Sequence, residues 1–411
     1  MKLIYANPNP VPSTDPPSLQ VIHTVAGMAK TSEVHLVAQR GALRWGRNDD
    51  EIREAVAAYY GISMPENLHL HLKAGFDFRI GDLRLFWNLP FIAGVAAAIV
   101  RIMRSSHPAD AILVRNLKLA EFLLRHRRLF RLPPVVFETH ELFVLSYWDE
   151  MKRTGREDPR KAARLEARER YVYKHSDGLI CITSHLASMI RERYGIDKPI
   201  LVAPDGVDLD AFVRAPKRLR PSDRPPMVFY LGSLHRWKGV DVLLGAVERL
   251  PGVHAKIVGG NDETVGRYSD LARELGIHDR VCFEGYVQPA RRFEYMEDAD
   301  VFVLPLKPIH IASYFTSPLK LFEYMAAGRP IVASDLPAIR EVLENDVNAV
   351  LVEPDSPDAL AEGIRRVLEN SGLGERLASR AAQDVERYTW DRRAQSILDF
   401  ISSNWMRSSI V

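Results

Sequence analysis

Residues Met227 to Leu250 read MVFYLGSLHRWKGVDVLLGAVERL, and the fold follows from how this stretch is read. An apolar run ends in Gly232, a short loop carries Arg236 and Lys238, and Gly239 precedes apolar residues at helical spacing. A strand that turns through glycine into a helix is the first half of a parallel βαβ unit. The pattern repeats downstream in HAKIVGG, VCFEGYV, DVFVLPL, RPIVASD and NAVLVEP, each followed by a helix-like segment. It also runs upstream, through KLIYANP, EVHLVAQ, NLHLHL, AILVRN, PVVFETH, GLICIT and PILVAP. Between the two series lies VRAPKRLRPSDRPP, Val213 to Pro226, which is basic, proline-rich and without periodicity. That is the composition of a linker. The expectation is an α/β chain of two Rossmann-like, doubly wound domains facing across a cleft. Residues 1–212 form the first, 213–226 the linker and 227–390 the second. The long last segment, ASRAAQDVERYTWDRRAQSILDFISS, is expected to kink near Tyr388–Trp390 and send residues 391–411 back to the first domain.

At 411 residues the chain exceeds the usual size of one core, in keeping with two domains. A composition 46% hydrophobic and 26% charged is that of an ordinary globular protein and excludes a fibrous or disordered chain. The net charge of +2 is too small to imply nucleic acid. Cys181 and Cys282 each fall in an apolar strand-like run, which argues for a reducing compartment and against a disulfide scaffold. Met1 and Lys2 lead straight into a strand pattern, so no signal peptide and a cytoplasmic location are expected. LPFIAGVAAAIVRIM, Leu89 to Met103, is too short to span a bilayer and reads as a core helix.

A second stretch, SPLKLFEYMAAGRP (Ser317 to Pro330), is apolar almost all round yet carries Lys320 and Glu323 three residues apart on one face. Ser317 is expected as N-cap and Pro318 as first helical residue, with Gly328 ending the helix. The unpaired N–H groups of its first turn make an anion site, with Lys320 inside it and Glu323 placed to accept from a ribose diol. On this reading a nucleotide covers the helix face; an ordinary surface ion pair is the other reading. The loop with Arg236 and Lys238 offers a guanidinium fork and a point charge to a diphosphate.

Taken as a set, GSLHRWKGVD, SPLKLFEYMAAGRPIVASD, FETHEL, APDGVDLDAF and FEGYV resemble the retaining GT-B glycosyltransferases of the family 4 type, over nearly the whole chain. YTWDRRAQSIL looks like that family's C-terminal helix crossing back to the N-terminal domain. The resemblance implies a nucleotide-sugar donor, UDP- or GDP-linked, on the C-terminal domain, an acceptor on the N-terminal domain, and no required metal or other cofactor. It gives Lys238 the diphosphate and Glu323 the ribose, with Gly232, Ser233 and Arg236 alongside. It puts the base near the backbone of Tyr286 and Val287, and the phosphates near the amides of Ser317, Pro318 and Leu319. His140, in FETHEL, looks like the family histidine near the reacting carbon. The implied reaction proceeds on one face of the sugar. The diphosphate leaves, an oxocarbenium-like species forms, and the acceptor hydroxyl attacks from the same side, giving its proton to a leaving phosphate oxygen.

The chain departs from the family at two positions. Ser233 stands where an arginine often follows the glycine, and Phe315 stands where the E-x7-E pattern has its first glutamate. A non-catalytic nucleotide-sugar-binding subunit therefore stays open as an alternative, as does a GT-B sugar-nucleotide epimerase, for which only Glu138 and Glu141 are at hand as carboxylates. A Rossmann dehydrogenase is disfavoured, since no G-x-G-x-x-G follows the first strand. On the acceptor side, the proline-stiffened NPNPVPSTDPPSLQ exposes Thr14 and Asp15 as partners for an acceptor hydroxyl, or as a turn cap. The basic segment Arg115 to Leu132 reads either as a solvated helix face or as a peripheral contact with anionic lipid near a lipid-linked acceptor.

Overall fold

The structure is a computed structural model and describes residues 1–13, 16–41, 48–73, 89–155, 158–213 and 224–406. It divides into two compact units: Met1–Ile182 with Leu186–Pro204 and Trp390–Val411, and Thr183–His185 with Asp205–Thr389. The chain thus passes between units at Pro204–Asp205, upstream of the proline-rich stretch, whose residues 214–223 lie outside the described ones.

The first unit holds β1 (Lys2–Val11), β2 (Glu33–Arg40), β3 (Leu68–Lys73), β4 (Ala111–Val114), β5 (Val135–Thr139), β6 (Gly178–Cys181) and β7 (Ile200–Val202). They form one sheet in the order β3-β2-β1-β4-β5-β6-β7, parallel throughout. Every residue of β4, β5 and β6 is buried, as expected of central strands covered by helices on both faces. The second unit holds β8 (Met227–Leu231), β9 (His254–Val258), β10 (Val281–Gly285), β11 (Val301–Leu304), β12 (Ile331–Ser334) and β13 (Val350–Val352). Their order is β10-β9-β8-β11-β12-β13, again all parallel. All the segments read as strands from the sequence are strands, because each apolar run is short and bounded by turn residues.

The last segment bends in a 3-10 turn at Val385–Arg387 and resumes as the helix Trp390–Trp405, which packs in the first unit. Trp390 stacks on His23 at 5.1 Å, and Lys30 pairs with Asp391 at 2.7 Å. Gly27 lets that helix come close: a Cβ there would lie 2.9 Å from the Cβ of Ala394.

Two expectations need correcting. Arg115 to Leu132 is not one helix. β4 ends at Val114, the Asn116 side chain accepts from the N–H groups of Lys118 and Leu119, and a helix Leu117–Arg125 is followed by a separate turn, Arg127–Phe130. Ser317 is not an N-cap, since the helix runs from Leu319 to Ala327 with Pro318 at the cap. Cys181 and Cys282 both lie in strands, as expected, and both are free; Cys181 is buried, and Cys282, on the edge strand β10, is exposed. The run Leu89–Met103 is a helix, and no helix among the described residues is long and apolar enough to cross a membrane.

Candidate functional site

In the second unit the strand order reverses between β8 and β11, which makes the crevice at their carboxyl ends the natural ligand site of a doubly wound sheet. The loop after β8 holds Gly232 to Lys238, and the helix Leu319–Ala327 lies on the connection from β11 to β12. Gly239, at φ 72°, turns the chain from the loop into the following helix, and a Cβ there would fall 1.7 Å from the Pro305 carbonyl oxygen. Gly239→Ala is expected to destabilise the second unit by more than the roughly 1–3 kcal/mol that a left-handed non-glycine residue costs alone, because the clash adds to it. Urea unfolding reads this directly.

Lys238 is partly buried, its ammonium 3.6 Å above the Trp237 ring centre. Burial pushes its pKa down to about 7. Lys320 is 7% exposed; its Nζ has no hydrogen-bond partner and sits 3.6 Å over the ring of Tyr230. A Cβ on Gly232 would approach that Nζ to 3.0 Å, so glycine leaves the ammonium its room. Burial, then repulsion from Lys238, pull the Lys320 pKa well down, with Glu323 opposing. Two neighbouring ammonium groups without a hydrogen-bonded carboxylate, beside the N-terminus of a helix, favour an anion of more than one charge.

Glu323 is 4% exposed, and its Oε1 accepts from Nε of Arg292 at 2.7 Å. The expected helix face is therefore covered by protein to a large extent: Tyr230 lies under the lysine and Arg292 is paired with the glutamate. Sequence reading missed both partners. For Arg292 the available signal was weak: an arginine opening the short amphipathic turn RFEYM.

The remaining expected residues are placed as follows. The Ser233 carbonyl accepts from the Tyr230 hydroxyl at 2.8 Å, and Arg236 is exposed on a 3-10 turn with Lys238. The Ser317 hydroxyl accepts from the N–H of Asp205 at 2.9 Å, which ties the helix start to the APDGVD segment. Tyr286 is 46% exposed and Val287 packs on the core, both just past β10. Phe315, in place of a glutamate, is 1% exposed. Thr14 and Asp15 lie outside the described residues.

His140 belongs to the first unit, so the residues expected to act in transfer are divided between the units. It follows β5 and its Nε2 lies 2.8 Å from Oε1 of Glu138. That same Oε1 accepts from Nη2 of Arg393 at 2.6 Å, and Oε2 accepts from the Tyr5 hydroxyl at 2.6 Å. Arg393 also donates to Thr24 Oγ1 and to the carbonyls of Ala203 and Pro204. Burial would raise the Glu138 pKa, but Arg393, His140 and Arg115 together hold it well below the usual carboxylate range. Burial and then Arg115 push His140 down to about 3 despite Glu138, so the ring is neutral at pH 7. Glu141 is pushed up by burial. The side chain of Arg115, expected as part of a basic helix, instead donates to Gln20 Oε1 and the Pro17 carbonyl.

Two Rossmann-like units, each a parallel sheet whose strand order reverses, define a GT-B type architecture. Sucrose-phosphate synthase from Thermosynechococcus elongatus shares this fold, with a TM-score of 0.76 over 98% of both chains at 19% identity. HepE from Anabaena, solved in complex with UDP and glucose, gives 0.71 over 98% of this chain and 100% of its own, again at 19% identity. Residues 20–211 match the family model described as Glycosyltransferase Family 4, and residues 225–370 the one described as Glycosyl transferases group 1. The chain belongs to the glycosyltransferases of the family 4 type. It is 34% identical to D-inositol 3-phosphate glycosyltransferase of Xylanimonas cellulosilytica over 56% of this chain and 58% of that one. It is 36% identical to phosphatidyl-myo-inositol mannosyltransferase of Mycobacterium tuberculosis over 47% of this chain and 52% of that one. The chain thus spans little more than half the length of these curated relatives.

Proposed function

We propose that this chain transfers a sugar, with retention of configuration, from a nucleoside-diphosphate donor to a hydroxyl of a glycan, lipid-linked or small-molecule acceptor. The observation that carries this reading is the buried, unpartnered ammonium of Lys320 beside Lys238 at the switch point of the second unit. A diphosphate bound there gains both charges and the helix N-terminus, and the same groups stabilise the negative charge that grows as it leaves. Glu323, held by Arg292, receives the ribose hydroxyls. His140, neutral and oriented by Glu138, is the first unit's contribution. The leaving phosphate oxygen takes the acceptor proton, so no protein nucleophile is required. HepE's complexes with UDP and glucose make UDP the first donor base to try.

Calorimetric titration with UDP, GDP and ADP tests the site. One of the three is expected to bind, and Glu323→Gln to weaken it; glutamine keeps an acceptor for Arg292, whereas alanine would strand that buried guanidinium. Equal binding by the variant removes Glu323 from the site. The same titration carries a pH signature. An anion favours charged Lys238, so its pKa rises from about 7 on binding and protons are taken up. Affinity for a UDP-sugar is expected to fall as pH rises above 7, by up to about tenfold per unit until the bound-state pKa is reached. In Lys238→Arg, where the charge persists, the Lys238 part of this slope is expected to vanish.

A further inference from the structure

The amino ends of the first sheet carry a group of side chains that the transfer reaction does not use. Glu33 and His35 sit on β2 and His69 and His71 on β3, where His35 is the register partner of His69. Alternation along parallel strands puts all four on one face of the sheet. The rings of His35 and His69 stack at 4.7 Å, and those of His35 and His71 at 5.1 Å. His35 Nε2 lies 2.9 Å from Glu33 Oε1, and His69 Nε2 lies 4.0 Å from the same oxygen. One ligand atom from each of Glu33, His35 and His69 falls within 4.8 Å of the other two.

We propose that Glu33, His35 and His69 bind one divalent transition-metal ion of the zinc, nickel and copper class, which clips the edge strand β3 to β2. Two imidazoles and a carboxylate are the donor set such ions take, with a fourth position left to water. Bonds of about 2.0–2.1 Å in a tetrahedron separate ligand atoms by about 3.3 Å. His69, an exposed ring, therefore has at most about 1.5 Å to close, and the His35–Glu33 contact opens slightly. His71 supplies the orienting contact: its Nε2 lies 2.8 Å from Nδ1 of His35, the kind of outer hydrogen bond that fixes a metal-binding imidazole. The ion takes the place of the hydrogen bond between His35 Nε2 and Glu33, and the ring then carries its proton on Nδ1, towards His71. One competitor is present: Lys2 Nζ sits 3.0 Å from Glu33 Oε1, with the Ser105 hydroxyl 3.4 Å away as its second partner. A cavity of about 520 Å³ walled by Lys2, Glu33 and Asn67 gives solvent access to the carboxylate.

The test is competition of the metal-depleted, untagged full chain with a chromophoric chelator for Zn²⁺, beside calorimetry. One equivalent is expected to bind. His69→Gln and Glu33→Gln, both at exposed side chains that leave the core intact, should each weaken binding by at least about tenfold. Lys2→Met should strengthen it, since it removes a competing cation. The fully folded wild type showing no stoichiometric Zn²⁺, or all three variants titrating like it, overturns the proposal. So does a site that persists in His69→Gln with unchanged affinity.

Discussion

Lys320→Met is expected to raise the melting temperature of the second unit while it weakens UDP binding about ten- to hundredfold. The two signs follow from one fact: the ammonium is buried with no hydrogen-bond partner, over Tyr230 and close to Lys238. In the free protein it is a desolvated charge with a like charge nearby. A thioether of similar length fills the same space, touches the Tyr230 ring favourably and removes that penalty. Replacing such a charge by an apolar side chain stabilises by about 1–3 kcal/mol, which for a unit of this size is roughly 2–4 °C per kcal/mol. In the complex the balance inverts, because a hydrogen bond between ammonium and phosphate contributes about 1.5–3 kcal/mol. Turnover should fall further, by about 10²–10³, since the leaving group carries more charge in the transition state than in the donor. Thermal scans and calorimetry on one preparation distinguish the cases. A lower melting temperature together with weaker binding would make Lys320 a structural residue and remove the observation on which the donor site rests.

What the sequence made legible was local. Short apolar runs bounded by turn residues located the strands among the described residues, and the chain does divide into two units, although it passes between them at Pro204–Asp205 and not at the proline-rich stretch. Lys320 and Glu323 were legible as one helix face because helical period is a local property. Their partners were not: Tyr230 comes from β8 and Arg292 from a turn 31 residues before Glu323. Ser317 misled for a related reason. A serine before proline looks like a cap, but its hydroxyl is engaged by the Asp205 amide, 112 residues earlier in the chain. The histidines of NLHLHL were read only as strand residues, since their meeting with His35 depends on the β2–β3 register, which no single strand reveals. Arg115 broke the expected basic helix because its guanidinium turns to Gln20 and Pro17 instead of solvent.

The largest loss of stability is expected from Arg393→Ala in the last helix. Glu138 is fully buried, and Arg393 is the strongest of the charges that keep it ionised. Removing one partner of a buried pair leaves the other uncompensated, at a cost of about 3–5 kcal/mol. Glu138 answers by taking up a proton, since burial then dominates its pKa. The linkage has a definite sign. In the wild type the folded-state pKa lies below the ordinary 4.5, so the pair's contribution is present above that value and is lost as pH falls through the folded value. Arg393→Ala should remove this acid sensitivity along with the stability, so the two proteins converge in stability at low pH. A protonated Glu138 also no longer accepts from His140 with full charge, and the ring loses what orients it. Arg393→Lys separates these effects: the charge is retained but the guanidinium's bonds to Thr24, Ala203 and Pro204 are not, so it should recover part of the stability and most of the Glu138 ionisation. Urea unfolding of the three proteins at pH 7 and again near pH 3 reads all of this. If Arg393→Ala unfolds with wild-type stability at pH 7, Glu138 is not held as a buried carboxylate, and the orientation of His140 must rest on burial and on Gln20, whose Nε2 lies 3.2 Å from the Nε2 of His140.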